Sequence, residues 1–137
     1  MWWLGIWVLI LSGVWLPTHA ATVTLLYTGN LDGELEPCGC SLQGDLGGLK
    51  RHTAVLDDLR AQHPDLVVVG SGGLLKNESI HDRLTGDFIL QGVAQQNFDA
   101  LGVQWTDLAY GAEFIRAAKL PWVASNWRGE GFASQKL

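Results

Sequence analysis

Two cysteines are the only thiols in this chain, and they stand two residues apart: Cys38-Gly39-Cys40, between Pro37 and Ser41. Partners that close close a very small ring, so a disulfide between them gains little chain entropy and is strained. A strained, exposed disulfide is a labile one. Three readings of the pair follow: a structural or inert disulfide, thiol redox chemistry, and ligation of a soft metal. A c-type haem is excluded, because that attachment needs Cys-x-x-Cys-His. Lys50, Arg51 and His52 follow the pair, and cations folded over a thiol favour the thiolate. Glu34, Glu36 and Asp45 oppose them. His52 itself is expected at the surface.

A second set of candidates consists of oxygen donors. Asn30, Asp32 and Asp107 offer oxygens suited to a hard cation. Gly73, Trp105, Thr106 and Asn126 lie in the loops where a ligand would sit.

These residues are positioned by an alternation of elements. Thr22–Thr28 is β-branched and apolar and reads as a strand, followed by a long glycine-rich loop over 29–48. Leu49–His63 has helical spacing and stops at Pro64. Leu66–Val69 is a continuous apolar run, as in a strand buried on both faces. Ile80, Leu84, Phe88, Ile89 and Val93 mark a second helix, with Gly86 and Gly92 as weak points. Phe98–Val103 reads as a short strand. Asp107 is placed to cap a third helix carrying Leu108, Phe114, Ile115 and Ala118. Pro121–Ala124 is a last strand. The pattern predicts an α/β fold, a mostly parallel sheet with flanking helices. Ligands of such sheets bind at the loops after the strands' C-terminal ends, here 29–48, 70–77, 104–107 and 125–130.

The composition narrows function further. The chain has 137 residues, 47% hydrophobic and 17% charged, with a formal net charge of −5. One ordinary domain fits, disorder does not, and no basic block exists for nucleic acid. Every charged residue lies beyond position 20. Residues 2–16 are an apolar block, followed by Pro17 and the small residues Thr18 and Ala20. This predicts a signal peptide over 1–20, cleaved before Ala21, and export to the bacterial periplasm. Its n-region lacks Lys and Arg, so an uncleaved membrane anchor is the alternative. The block is short against the ~20 residues that span a bilayer.

The four loops resemble, in order, the front half of the exported calcineurin-like metallophosphoesterases, the periplasmic 5′-nucleotidase (UDP-sugar hydrolase-like) family. Thr28-Gly29-Asn30-Leu31-Asp32-Gly33 with Leu35-Glu36-Pro37 is similar to the family's Thr-Asn-Asp-x-His-Gly and Leu-Glu-Pro. Gly47-Gly48-Leu49-Lys50-Arg51 is similar to Gly-Gly-x-x-Arg. Gly70-Ser71-Gly72-Gly73 stands for Asp-Ala-Gly-Asp. Phe98-Asp99-Ala100 leads into Gln104-Trp105-Thr106-Asp107-Leu108-Ala109-Tyr110-Gly111, in place of Gly-Asn-His-Glu-Phe-Asp-x-Gly. Pro121–Asn126 resembles the segment that follows. The likeness covers residues 22–127 and implies a single shortened metallophosphoesterase-like domain over 21–137.

The family's two-metal chemistry would fall on positions that lack its ligands. The first Asp and His correspond to Asn30 and Asp32, the bridging Asp to Gly73, the metal-binding Asn to Trp105 and the transition-state His to Thr106. Glu-Pro-Cys-Gly-Cys is associated with an uncharacterised Cys-Gly-Cys branch. The expected function is therefore non-hydrolytic, with a redox or soft-metal motif at Cys38 and Cys40 and an exported redox or protein partner. The alternatives are a divalent-metal-dependent phosphohydrolase with altered ligands and a non-catalytic interaction module.

Overall fold

The computed structural model of the chain describes residues 22–37, 47–128 and 132. The leader, Cys38, Cys40 and the rest of the 38–46 segment lie outside the described residues.

Among the described residues, four strands and three helices alternate: β1 (Leu25–Thr28), α1 (Leu49–Gln62), β2 (Val67–Gly70), α2 (Asp82–Ala94), β3 (Ala100–Gly102), a 3-10 turn (Thr106–Tyr110), α3 (Ala112–Ala117) and β4 (Trp122–Val123). The sheet has the order β1-β2-β3-β4, and every pairing is parallel. The predicted α/β architecture, a parallel sheet with flanking helices, is the one observed. Parallel neighbours require a crossover between them, and each crossover here contains a helix or helical turn. Register is set by short polar devices as well as by apolar burial. Asp99 Oδ2 accepts from Val68 N–H at 2.7 Å, and Asp99 N–H donates to Val68 O at 2.9 Å, aligning β3 on β2.

The core is formed by Leu56, Val68, Leu75, Ile89, Leu90, Val93, Leu101 and Ile115, all essentially buried. Gly92, read from sequence as a weak point of α2, is a seat for α1. A Cβ there would lie 2.3 Å from Leu49 Cδ2. The two helices are also tied by Arg60, which donates to the Gln96 and Asn97 carbonyls just past the end of α2.

Several expectations are corrected. Of the run over 66–69, only Val68 is fully buried. The α2 markers Ile80, Leu84 and Phe88 are exposed, while Gly86, Ile89, Leu90 and Val93 face inward. The apolar residues outnumber the positions that the narrow inward stripe can take, so spacing marks Ile89 and Val93 correctly but takes in outward residues as well. The helix expected from Asp107 is two pieces, the 3-10 turn and α3, separated by Gly111 at φ 84°.

Candidate functional site

Loops leave the C-terminal ends of β1, β2 and β3 side by side, and their polar side chains meet. Gln104 Nε2 donates to Asn30 Oδ1 at 2.7 Å and to Ser71 O at 3.3 Å. Asn30 Nδ2 donates to Asp32 Oδ1 at 3.3 Å, and Ser71 Oγ donates to Asn30 Oδ1 at 3.4 Å. Asn30, Ser71 and Gln104 thus form one neutral amide and hydroxyl network spanning three loops, with Asp32 at its edge.

Gly73 lies directly under it. Its φ is 69°, and a Cβ at this position would stand 2.7 Å from Asn30 Cγ. Backbone conformation and space both favour glycine here. The Asn30 side chain fills the volume that a side chain at 73 would need. Leu31 N–H and Asp32 N–H both donate to Gly73 O at 3.0 Å, so the first and second loops are stitched through this residue.

Asp107 belongs to a different layer. It is fully buried, and its carboxylate accepts four backbone N–H bonds: Gly73 at 2.8 Å, Leu74 at 2.7 Å, Leu75 at 3.3 Å and Gln104 at 2.9 Å. As placed, it is a clasp fixing the 73–75 loop onto the 3-10 turn, not an oxygen donor presented beside Asn30 and Asp32. Nor is it the cap of a single long helix. The glycine-rich 72–75 turn leaves several N–H groups without sheet partners, and one buried carboxylate satisfies them.

Trp105, by contrast, is 83% exposed. Thr106 Oγ1 is buried and has no hydrogen-bond partner among the described residues. Asn126 lies in an exposed turn after β4, and no bond among the described residues joins it to the cluster. Trp122 is core, its Nε1 donating to Ile115 O at 3.0 Å, and Trp127 packs edge-on against Phe132.

The fit to a divalent metal pair can be judged from these donors. Among the described residues, no group of three or more His, Cys, Asp or Glu is placed to hold a metal ion. Asn30 Oδ1 is engaged by Gln104, Gly73 has no side chain, and the donors left are Asp32 and neutral amides. Two hard dications need bridging anionic oxygen, and this set does not supply it.

His52 is not the surface residue expected. It is half-buried, its Nδ1 donates to Gln96 Oε1 at 3.0 Å, and its ring stacks on Phe98 at 6.0 Å. Gln96, fully buried, also donates to Thr53 Oγ1 at 2.7 Å. Sequence reading missed Gln96, Gln104 and Ser71. Each is an ordinary polar residue whose side-chain partners in these networks lie at least 33 positions away.

The described residues that bracket the cysteine segment meet each other. Leu49 N–H donates to Leu35 O at 3.1 Å, and a Cβ on Gly48 would stand 2.7 Å from Pro37 N. Residues 35–37 and 48–49 therefore lie against each other.

No family model matches the chain, and no curated protein matches it by sequence. Among solved structures it is similar to the NAD nucleotidase of Haemophilus influenzae, with a TM-score of 0.65 and 20% identity. That likeness covers 76% of this chain and 20% of the other, so the chain spans about a fifth of that protein's length. The chain thus has a nucleotidase-like α/β fold.

Proposed function

We propose that this chain is an exported, nucleotidase-like domain that does not hydrolyse phosphate esters and that works through Cys38 and Cys40, in thiol redox exchange or soft-metal binding. The observation that carries the non-hydrolytic part is the 2.7 Å bond from Gln104 Nε2 to Asn30 Oδ1. It puts neutral hydrogen bonding across the loop edge where the resemblance would put the first metal ligand. Gly73 and Trp105 remove two more of the ligands that a metal-bound hydroxide needs. The second part rests on the sequence: Cys38 and Cys40 are the only cysteines, two residues apart, in the glycine-rich stretch that follows β1.

The test is a paired assay on the purified protein. Manganese-stimulated hydrolysis of nucleoside monophosphates and nitrophenyl phosphate is expected to stay at background. Alkylation before and after mild reductant, read by mass spectrometry, is expected to show both cysteines accessible and either reversibly oxidised or metal-loaded. Robust manganese-dependent turnover abolished by Asp32→Ala defeats the non-hydrolytic reading. Unreactive cysteines whose replacement by serine changes neither redox state nor metal content defeat the thiol reading.

A further inference from the structure

A groove of about 480 Å³ opens beside the amide network, lined among others by Asp32, Glu34, Lys76, Glu78, Trp105 and Thr106. We propose that it binds a small organic cation, an alkylammonium whose charge lies against Asp32 and Glu34 and whose carbon body lies on Trp105.

Size and wall chemistry favour this ligand. The volume falls in the range of ~300–1,000 Å³ in which small-molecule sites lie. Three carboxylates face one ammonium, and that ammonium is engaged: Lys76 Nζ pairs with Glu78 at 2.9 Å. The charge left on the walls is that of Asp32 and Glu34. An anionic phosphate ester would meet the wrong sign, and a cation the right one. Trp105 lines the groove yet is 83% exposed, an indole open to a ligand. An indole ring attracts organic cations through its π-face, and carboxylates nearby add to that attraction. Leu75 and Ala109 supply apolar wall for the carbon skeleton.

The groove is held in shape before any ligand arrives. Asp107 fixes the amides of Gly73, Leu74 and Leu75, Gly33 N–H donates to Leu74 O at 3.0 Å, and Tyr110 Oη donates to Lys76 O at 2.8 Å. All three walls are tied to one another, so binding need not order them first.

The inference goes beyond the proposed function and does not rest on it. Titration of the purified chain with choline, spermidine and adenosine monophosphate at low ionic strength, followed by calorimetry, tests it. Saturation by at least one of the two cations is expected, weakened by added salt. Trp105→Ala is expected to lower that affinity roughly tenfold, Trp105→Phe to retain most of it, and Glu34→Gln to weaken it. Both residues reach solvent, and an unchanged thermal midpoint confirms that the variants are folded. The proposal is overturned if neither cation saturates. It also falls if Trp105→Ala and Glu34→Gln leave binding unchanged, or if adenosine monophosphate binds more tightly than either amine. Cation binding together with phosphatase turnover would defeat only the non-hydrolytic reading.

Discussion

Neighbouring residues 105 and 107 sit in opposite environments, and their substitution should separate binding from stability. Asp107→Ala leaves four N–H donors without their acceptor, three of them in the buried turn at Gly73, Leu74 and Leu75. Each orphaned buried donor costs about 1–3 kcal/mol, and relaxation recovers part of it, so a loss of roughly 3–5 kcal/mol is expected. Trp105→Ala removes an exposed ring and should change stability by less than about 0.5 kcal/mol. Urea denaturation of both variants decides the matter, and a loss below about 1 kcal/mol for Asp107→Ala would refute the clasp. Sequence marked Asp107 as a helix cap and as a candidate oxygen donor. Spacing could not say whether its oxygens point at solvent or at amides, since the three amides that decide it lie 32 to 34 residues away.

Helix α2 shows how an element is anchored by charge at one end. Asp82 accepts from Glu78 N–H at 2.6 Å, Ser79 N–H at 2.8 Å and Ser79 Oγ at 2.7 Å. The Ser79 hydroxyl, followed by those backbone bonds, holds the Asp82 carboxyl below its ordinary value of 3.8. A carboxyl depressed on folding stabilises fully above its unfolded value, and that contribution is lost as pH falls through its folded value. Amide protection at Glu78 and Ser79 should therefore persist at neutral pH and fade in acid below about pH 4. Asp82→Asn should remove that dependence. Hydrogen exchange followed by NMR reads both, and a loop equally protected at all pH values would contradict the assignment. The helix was legible as a helix from its apolar content. Its inward face was legible only in part, at Ile89 and Val93, because Gly86 and Gly92 supply contacts by having no side chain. A Cβ on Gly86 would meet Leu75 Cδ2 at 3.1 Å, and a pattern of apolar residues cannot register such a position.

At the largest scale, the described residues form a parallel sheet with flanking helices in a nucleotidase-like fold, and the chain spans about a fifth of the solved protein it resembles. Its export is proposed from the uncharged apolar block over 2–16 and the small residues Thr18 and Ala20. N-terminal sequencing of the protein made in a bacterial host should find Ala21 first, and a chain still beginning at Met1 would favour the anchor instead. By itself the sequence determined the order of strands and helices, the parallel sheet and the edge from which the loops leave it. These follow from local periodicity and from Gly and Pro punctuation, which act within a few residues. Only the tertiary structure decided which side chains meet at that edge. Gln104 reaches Asn30 across 74 positions, Asp107 turns inward to clasp the second loop, and Trp105 stays in solvent beside a groove walled by acids. Those outcomes depend on how closely separate loops approach, and approach distance is a property of packing that no spacing along the chain expresses.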